Sequence, residues 1–289
     1  MVNKIKLHFL GTGGSVPIPR PTCNCRVCRQ ARSQGPPHSR MGPGLFVAGP
    51  NLLFDTTEEV GVILNRAGVT QVDGIAYTHW HPDHTAGWRV LEQMGATADG
   101  SPPQTIPVYV PQAVWQDFEQ RKQLGMAANL KYLARCGWAR IEILEDERPI
   151  SIGGVRLKAI PIKGATANVY AFLLEQGTTR ILLAPDHLLG WRPPARLAGV
   201  DIAVLEAGWF THGSDGARIK LEGGITSTKT PFEETLRLVR ELEPKRTFLT
   251  HIQEYYGWTY DDYAKLQTTL LDDYPNLVFA YDGLVVNLV

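Results

Sequence analysis

Short runs in which apolar side chains alternate with polar ones, or follow one another without a break, recur along the chain. The first alternates, as expected of a strand with one buried face. Later runs are rich in Val, Ile, Leu and aromatic residues and are bounded by Gly, Pro or Asp, which is typical of buried strands. The predicted strands are Ile5–Leu10, Gly44–Ala48, Gly74–Tyr77, Val108–Val110, Val155–Ile162, Val169–Leu174, Arg180–Leu183, Ile202–Leu205, Arg246–Leu249, Leu277–Ala280 and Leu284–Leu288.

Helical patterns are fewer. Thr230–Glu233 has the form of a capping box with proline at the first helical position, which predicts a helix to about Leu242. Thr259 opens another helix, ending near Tyr274. Because strands and helices alternate in both halves, the sequence favours an α/β (α+β) fold with two sheets covered by helices. The remaining predicted helices are Glu58–Ala67, Thr85–Met94 and Pro111–Leu124.

The composition is ordinary for a soluble globular protein, with 44% hydrophobic and 20% charged residues. The 29 basic and 29 acidic side chains balance to a formal net charge of zero. That balance argues against a broad electrostatic grip on nucleic acid or an anionic membrane, but it leaves a local basic pocket open. No stretch approaches the roughly 20 apolar residues that cross a bilayer, and the N-terminus lacks a signal-peptide pattern, so a cytoplasmic protein is predicted.

A cluster of histidines carries the strongest chemical signal. His79, His81 and His84 lie within six residues together with Asp83, after the predicted strand Gly74–Tyr77. A loop at the end of a strand is a usual place for chemistry on a rigid scaffold. Imidazole and carboxylate groups suit zinc, manganese or iron. We expect His79 and His81 to converge on one ion, and Asp83 and His84 to serve a second.

Three cysteines form a second cluster. Cys23, Cys25 and Cys28 also lie within six residues, which in a reducing compartment indicates a metal site rather than disulfides. Their spacing lets three thiolates reach one tetrahedral zinc, with a fourth ligand to be found elsewhere. The preceding glycine-rich run, Gly11–Gly14, lacks the Gly-Lys-Ser/Thr ending of a phosphate-binding loop and predicts a tight turn. We therefore expect a Cys-rich, zinc-binding insertion at about 11–44.

The run His79–His84 resembles the signature of the metallo-β-lactamase superfamily. The resemblance implies a single domain over 1–289, an αββα sandwich of two mixed sheets flanked by helices, with a metal site at the edge between the sheets. Leu53–Asp55 resembles the early strand of that family that ends in aspartate. Leu183–Asp186 resembles the strand whose aspartate bridges two ions, and Phe248–His251 resembles the strand that delivers the last histidine. The second metal would then bind Asp83, His84, Asp186 and His251.

Within this superfamily the cysteine motif resembles the PhnP group of phosphoribosyl cyclic phosphodiesterases, which carries a structural zinc on N-terminal cysteines. The run Pro244–Ile252 extends that likeness, and the PqqB group has a similar Cys-rich start. In the PhnP group the fourth zinc ligand is a histidine, and Glu254 stands at that position here. Glu254 is thus the expected fourth ligand, with His38 as the alternative, whereas Cys136 is expected in the core.

Two further departures concern the active site. The superfamily takes a third ligand of the first metal from a mid-chain histidine, but Ile160–Asn168 contains none, and Lys163 lies near the expected place. PhnP-like proteins also place a proton-transferring histidine before the Thr230 helix, and residues 222–228 contain none. His212 and His187 are candidates, although His187 adjoins Asp186, and neighbouring strand residues point to opposite faces. Three alternatives follow: a mononuclear hydrolase, a dinuclear site completed by His187, His212 or a solvent ligand, or a site that no longer performs the ancestral hydrolysis.

The resemblance predicts a metal-dependent hydrolase that acts on a small phosphodiester, such as a cyclic one. The expected cofactors are a structural zinc and one or two divalent ions, zinc, manganese or iron. Asp83 is assigned to catalysis, and His212 or Lys163 would protonate the leaving oxygen or bind the substrate as a point charge.

Two other functions remain open at this stage. The missing histidines allow an accessory or binding protein of PqqB type, and fold alone does not exclude a hydrolase of carbon esters, lactones or lactams. A small-molecule substrate, no membrane and no nucleic acid are the expected partners. The PhnP resemblance also suggests a homodimer.

Overall fold

The computed structural model describes residues 5–97, 104–164, 167–212 and 229–288 of the 289-residue chain. Within those ranges, fourteen strands form two seven-stranded sheets. Each sheet mixes parallel and antiparallel pairs, and helices flank them, so the predicted αββα class is confirmed. Among the described helices, none combines the length and the apolar character that spanning a bilayer requires.

The first sheet has the strand order β14-β1-β2-β3-β4-β5-β6. The pairs from β14 to β3 are antiparallel and those from β3 to β6 are parallel. Its strands are β1 (Lys6–Gly11), β2 (Gly44–Ala48), β3 (Leu52–Phe54), β4 (Gly74–Ala76), β5 (Ile106–Pro111), β6 (Ala139–Leu144) and β14 (Val285–Asn287).

The second sheet has the order β13-β12-β11-β10-β9-β8-β7. Here β10 to β13 run parallel, and β7 to β10 pair antiparallel. Its strands are β7 (Ile150–Ile152), β8 (Val155–Pro161), β9 (Tyr170–Gln176), β10 (Thr179–Ala184), β11 (Ile202–Glu206), β12 (Arg246–Thr250) and β13 (Leu277–Phe279).

The helices fill the connections between strands. Residues between β1 and β2 carry α1 and the three clustered cysteines. The α-helices are α1 (Arg26–Gln34), α2 (Val60–Arg66), α3 (Pro82–Thr85), α4 (Val90–Gly95), α5 (Gln112–Gln120), α6 (Met126–Arg135), α7 (Phe232–Leu242) and α8 (Tyr260–Leu270), with 3-10 turns at Lys122–Leu124 and Ala195–Leu197.

The eleven predicted strands all appear, with bounds shifted by one or two residues, while β6, β7, α1 and α6 escaped the sequence analysis. The helix predicted over Thr85–Met94 is wrong, because it is split into α3 and α4. Gly87 lies at the break, where its amide donates to Thr56 O at 2.9 Å. A Cβ on Gly87 would lie 2.0 Å from Thr57 O, so only glycine allows this approach of two backbones.

The predicted capping box at Thr230 is also wrong. Helix α7 begins at Phe232, its N-cap is Pro231, and no side chain caps it. The Thr230 hydroxyl donates instead to the buried carboxylate of Glu206, at the end of β11. The Thr230 hydroxyl thus bonds a residue distant in sequence rather than the first turn of α7, and this bond links the start of α7 to the second sheet.

The apolar core occupies two layers. One lies between the sheets, where Phe9 meets Phe248 and Phe54 meets Phe172, each pair with ring centroids 5.4 Å apart. The other covers the outer face of the second sheet and includes side chains of α7 and α8. Packing of the sheets against each other brings the carboxyl ends of their parallel strands to one edge, and the clustered histidines lie there.

Candidate metal centre

Loops that follow four strands supply the side chains of the site. Asp55 follows β3, the run His79–His84 follows β4, Asp186 follows β10 and His251 follows β12. All of these strands belong to the parallel parts of the two sheets. The carboxyl ends of parallel strands are the usual position of ligand sites in such folds.

The first group of candidate ligands consists of His79, His81, Asp186 and His187, whose ligand atoms all lie within 4.8 Å of one another. His81 Nδ1 lies 3.0 Å from His79 Nε2 and 3.0 Å from His187 Nε2. Asp186 Oδ2 is 3.4 Å from the Nε2 atoms of both His79 and His187. Two ligands of a tetrahedral zinc, each at about 2.0–2.1 Å, lie about 3.3 Å apart, so these separations suit one ion.

The second group consists of Asp83, His84 and His251, again within 4.8 Å. The His84 and His251 Nε2 atoms are 3.3 Å apart. Asp83 Oδ2 is 3.6 Å from His84 Nε2 and 3.4 Å from His251 Nε2. Asp186 Oδ2 also lies 3.5 Å and 3.4 Å from those two nitrogens. One carboxylate therefore stands between the two groups, in the place of a bridge.

His187 reaches the first group because the chain has left the strand. The sequence argument that it points away from Asp186 is wrong, since β10 ends at Ala184 and His187 has a φ of 57°. In that left-handed conformation the chain turns sharply, and two adjacent side chains serve one site. His187 thus gives the first group a third imidazole, which the segment Ile160–Asn168 does not supply.

A buried carboxylate orients the second group. Asp55 accepts hydrogen bonds from Thr78 N and Thr78 Oγ1, both at 2.8 Å, and its Oδ2 lies 2.7 Å from His84 Nδ1. A carboxylate on one imidazole nitrogen fixes the ring and leaves the other nitrogen to a metal. Asp55 and His251 also have positive φ, 63° and 54°. Strained backbone of this kind persists where the surroundings impose it and clusters at functional sites.

Glu206 supports the turn that carries His187. Its Oε1 accepts from Leu188 N at 2.5 Å and from the Thr230 hydroxyl, and the residue is 4% exposed. Burial, together with the charge of Asp186, raises the pKa of Glu206 to about 7. Sequence analysis missed this residue, because an acidic residue that ends an apolar strand carries no motif of its own.

Burial and neighbouring charges set the protonation states of the cluster so that it can bind a cation. Burial holds the pKa of His79 well below its ordinary value and that of His81 at about 4, so both rings are neutral and keep a free lone pair. Burial opposes ionisation of Asp83 and Asp186, but the neighbouring histidines outweigh it and hold both pKa values low. Burial also opposes charge on His84, and Asp55 and Asp83 nevertheless raise its pKa well above the usual value.

The donor set therefore fits a pair of divalent ions. Four His/Asp atoms in one group and three in the other, joined by Asp186, match the preference of zinc, manganese and iron for imidazole with carboxylate. The buried carboxylates also favour a cation, because negative charge at this depth is costly unless it is paired.

The sulfur atoms of Cys23, Cys25 and Cys28 also lie within 4.8 Å of one another. The Cys28 amide lowers the pKa of Cys25 to about 6, which favours the thiolate that binds metal. Arg20 donates from its backbone N to Cys28 Sγ at 3.3 Å and from its guanidinium to Cys23 Sγ at 3.4 Å. These donors offset negative charge on the sulfurs, whereas burial raises the pKa of Cys28.

Glu254 lies near the cysteine cluster without joining it. It is 4% exposed, its Oε1 accepts from Gly257 N at 3.0 Å, and its buried Oε2 has no partner within the described chain. Burial raises the pKa of Glu254, and the charges of Arg40 and Arg20 oppose that rise. The group of atoms within 4.8 Å contains the three sulfurs alone, and His38 is also outside it.

Other predicted residues lie apart from these groups. Lys163 is exposed in the turn after β8, and His212 is exposed, with Nδ1 3.0 Å from Thr211 Oγ1. Within the described ranges, neither belongs to a group of converging ligand atoms. Cys136 caps α6 and is partly exposed, so its predicted place in the core is wrong. The segment 222–228, from which a histidine is missing, lies outside the described residues.

Comparisons with known proteins agree with this architecture. A family model described as a beta-lactamase superfamily domain matches residues 48–252. Ribonuclease Z of Methanopyrus kandleri is 24% identical over 317 residues that cover 100% of this chain and 99% of that protein. A diphosphatase of the PhnP family has a similar structure, with a TM-score of 0.72 and 22% identity over 100% of this chain and 98% of the other. Zinc-bound PqqB from Methylobacterium extorquens also has a similar structure, with a TM-score of 0.67 and 15% identity over 98% of this chain and 100% of the other.

Proposed function

The chain belongs to the beta-lactamase superfamily domain family, whose hydrolases depend on metal ions, and from this premise we propose that it is a dinuclear phosphodiesterase for small phosphodiesters. The observation that carries the proposal is the pair of ligand groups that share Asp186. His187 is essential to it, because without this side chain the first group would keep two histidines and a shared carboxylate.

In this proposal His79, His81, Asp186 and His187 hold one ion, and Asp83, His84, Asp186 and His251 hold the other. When bound, two such ions would polarise phosphoryl oxygens and lower the pKa of water, so that a nucleophile would be available at neutral pH. Asp55 keeps the His84 ring turned toward the second position through its contact with Nδ1. The buried rings of His79, His84 and His251 line the inner side of the site and leave bulk water little access there.

Asp83 has a second role beside the attacking water. It is the more exposed of the two ligand carboxylates, and because its low pKa keeps it ionised, it can accept a hydrogen bond from that water and orient it. For the exposed Lys163 and His212 we keep the predicted roles, contact with the substrate and protonation of the leaving oxygen. Substitution of either by Ala would then lower the turnover number and leave the metal content unchanged.

We further propose a structural zinc on Cys23, Cys25 and Cys28, with Glu254 as fourth ligand. The support is the three converging sulfurs and a buried carboxylate oxygen without a partner. Glu254 Oε2 would have to move toward the sulfurs on zinc binding. Loss of one zinc per chain in a Glu254→Ala variant tests this assignment.

The first experiment counts metal ions per chain by plasma mass spectrometry and follows hydrolysis of bis(p-nitrophenyl) phosphate. Wild type should hold three ions, two in the histidine cluster and one on the cysteines. His187→Ala should hold two and lose at least 100-fold in turnover number, because two-ion chemistry is lost. A Cys23→Ser/Cys25→Ser variant should also hold two and keep its turnover.

His8→Gln serves as the matched control, since His8 lies in β1 outside both ligand groups. It should keep three ions and full turnover. Three ions in His187→Ala would contradict the assignment of His187, and a wild type with no ion in the histidine cluster would favour the accessory protein. Turnover of lactones or carbon esters without turnover of any phosphodiester would favour the carbon-ester hydrolase.

RNA is a second candidate substrate. The similarity to Ribonuclease Z covers the whole chain, and it counts against the expectation, drawn from the zero net charge, that nucleic acid is no partner. Cleavage of a fluorescent RNA oligonucleotide is the test. Cleavage that fades steeply with added salt would indicate phosphate-backbone binding, whereas hydrolysis of the small diester alone would support the first proposal.

A further inference from the structure

The two ligand groups are open on one side. Of their seven residues, five are at most 8% exposed, whereas His81 and Asp83 are partly exposed. A substrate must therefore approach past His81 and Asp83. The side chains that flank these two residues are the first to meet it.

Trp80 lies against His81, and Arg121 lies against Trp80. The Trp80 and His81 ring centroids are 4.3 Å apart, and the Arg121 guanidinium carbon lies 3.7 Å from the Trp80 ring centroid. Laid end to end, these distances place the guanidinium carbon no more than about 8 Å from the His81 ring, by geometry alone. Stacking on an indole fixes the plane of the guanidinium and spares it rotational entropy when it binds a ligand.

The positive charge of Arg121 lacks an acidic partner in the described ranges. No carboxylate there lies within ion-pair distance, and its Nε is buried without a hydrogen bond. Asp117, one turn earlier on α5, is occupied by Asn168, whose Nδ2 lies 3.1 Å from its Oδ2. An arginine at this distance from a candidate metal ligand, with no acidic partner among the described residues, can bind an anion.

The backbone of Arg121 is well anchored. Its N donates to Asp117 O at 2.9 Å, and its O accepts from Leu124 N at 2.9 Å. The Asn168 amide also links α5 to the turn before β9. The guanidinium thus projects from a braced connection between α5 and α6, rather than from a free loop.

We propose that Arg121, stacked on Trp80, binds an anionic phosphate group of the substrate beside the first metal position. The proposal rests on the phosphodiesterase function proposed above. The guanidinium fork matches two phosphate oxygens, and charge-assisted contacts of this kind are among the strong hydrogen bonds in proteins. The metal ions and Arg121 would then contact the same substrate from two sides.

The test compares Arg121→Gln and Arg121→Lys with wild type in the metal-loaded protein. The measured quantities are the KM and kcat for bis(p-nitrophenyl) phosphate and the affinity for inorganic phosphate by calorimetry. Arg121→Gln should weaken phosphate binding by about 10-fold or more and raise KM similarly, since a charged hydrogen bond is lost. Arg121→Lys should recover part of the loss, because it restores the charge without the fork. Metal content should stay at the wild-type value.

Arg135→Gln is the matched control. It removes the same charge from an exposed arginine at the far end of α6, about 15 Å along the helix. It should leave KM and phosphate affinity unchanged. Equal losses in Arg135→Gln and Arg121→Gln would overturn the proposal, because they would indicate a general charge effect.

Unchanged phosphate affinity and KM in Arg121→Gln would also overturn the proposal. Failure of the proposed function gives a different result, namely a wild type that turns over no phosphodiester. Phosphate calorimetry on wild type and Arg121→Gln still decides the role of Arg121 in that case. Trp80→Leu adds an independent check, since loss of the stacking surface should weaken phosphate binding in the same direction as Arg121→Lys.

Discussion

Single residues in uncommon backbone conformations decide which side chains reach the metal centre. His187 and Asp186 are neighbours in sequence, yet both contribute to the first ligand group, because His187 has a φ of 57°. A non-glycine residue in this region costs of order 1 kcal/mol or more, which the surroundings must offset. The bond from Leu188 N to Glu206 supplies part of that support, directly after the strained residue.

This arrangement predicts different results for two substitutions of Glu206. Gln keeps an oxygen that can accept from Leu188 N and from Thr230, whereas Leu keeps the approximate volume but accepts nothing. Glu206→Leu should weaken the first metal position at least 10-fold, since a buried amide loses its acceptor. Glu206→Gln should stay close to wild type. Metal titration with urea unfolding as a folding control measures both, and equal metal affinity in the two variants would show that the hydrogen bonds do not position His187.

At the scale of elements, the strands hold the site rigidly and helix ends tie the loops to them. Helix α8 has the capping box that α7 lacks: the Asp262 carboxylate accepts from Thr259 N and from the Thr259 hydroxyl, both at 2.9 Å. Asp262 also pairs with Arg26 of α1 at 2.7 Å. The start of α8 is thus linked to the helix that carries Cys28.

Thr259→Ala should therefore lower the free energy of unfolding by about 1 kcal/mol, the usual cost of a lost N-cap. Thr268→Ala is the control, because its hydroxyl bonds an exposed carbonyl within the same helix. Urea unfolding of the two variants measures the difference. A loss in Thr268→Ala equal to that in Thr259→Ala would mean that the cap contributes nothing beyond helix propensity.

For the molecule as a whole, packing between the sheets brings the ligand loops together. Asp55 and His84 follow strands of the first sheet, while Asp186 and His251 follow strands of the second, so the site exists only where both sheets meet. Phe54, which directly precedes Asp55, packs against Phe172 across this interface, and both side chains are buried.

Truncation of Phe172, which is 0% exposed, should cost about 3–5 kcal/mol of folding free energy. Phe172→Ala should also weaken metal binding, because the two ligand sets would lose their common support. Phe279→Ala, in the outer layer behind the second sheet, should destabilise the fold with less effect on the metal. Thermal unfolding with and without added zinc distinguishes the two. Equal metal affinity in both variants would show that the sheet interface does not control the site.

Much of this architecture follows from local patterns. The predicted strands agree with the observed ones because each is a short apolar run with its own boundary signals. Helix α1 was not predicted because it has few apolar residues, and two of them, Val27 and Ala31, form a small separate cluster with Ile18. The capping box predicted at Thr230 is wrong because the pattern is local, whereas the actual partner of Thr230, Glu206, lies 24 residues earlier in the chain.

The sequence by itself determined the parts of the site that lie in one continuous stretch: the metal-binding run His79–His84 and the cysteine motif at 23–28. It also supported the superfamily, through landmarks whose order is preserved. Only the tertiary structure decided that His187 joins the first ligand group, that Glu206 holds its turn, and that Arg121 stacks beside the opening. The physical reason is that local spacing determines which ligand types lie close together along the chain. A single backbone torsion, or a contact between residues about 40 positions apart, determines where a side chain lies in space.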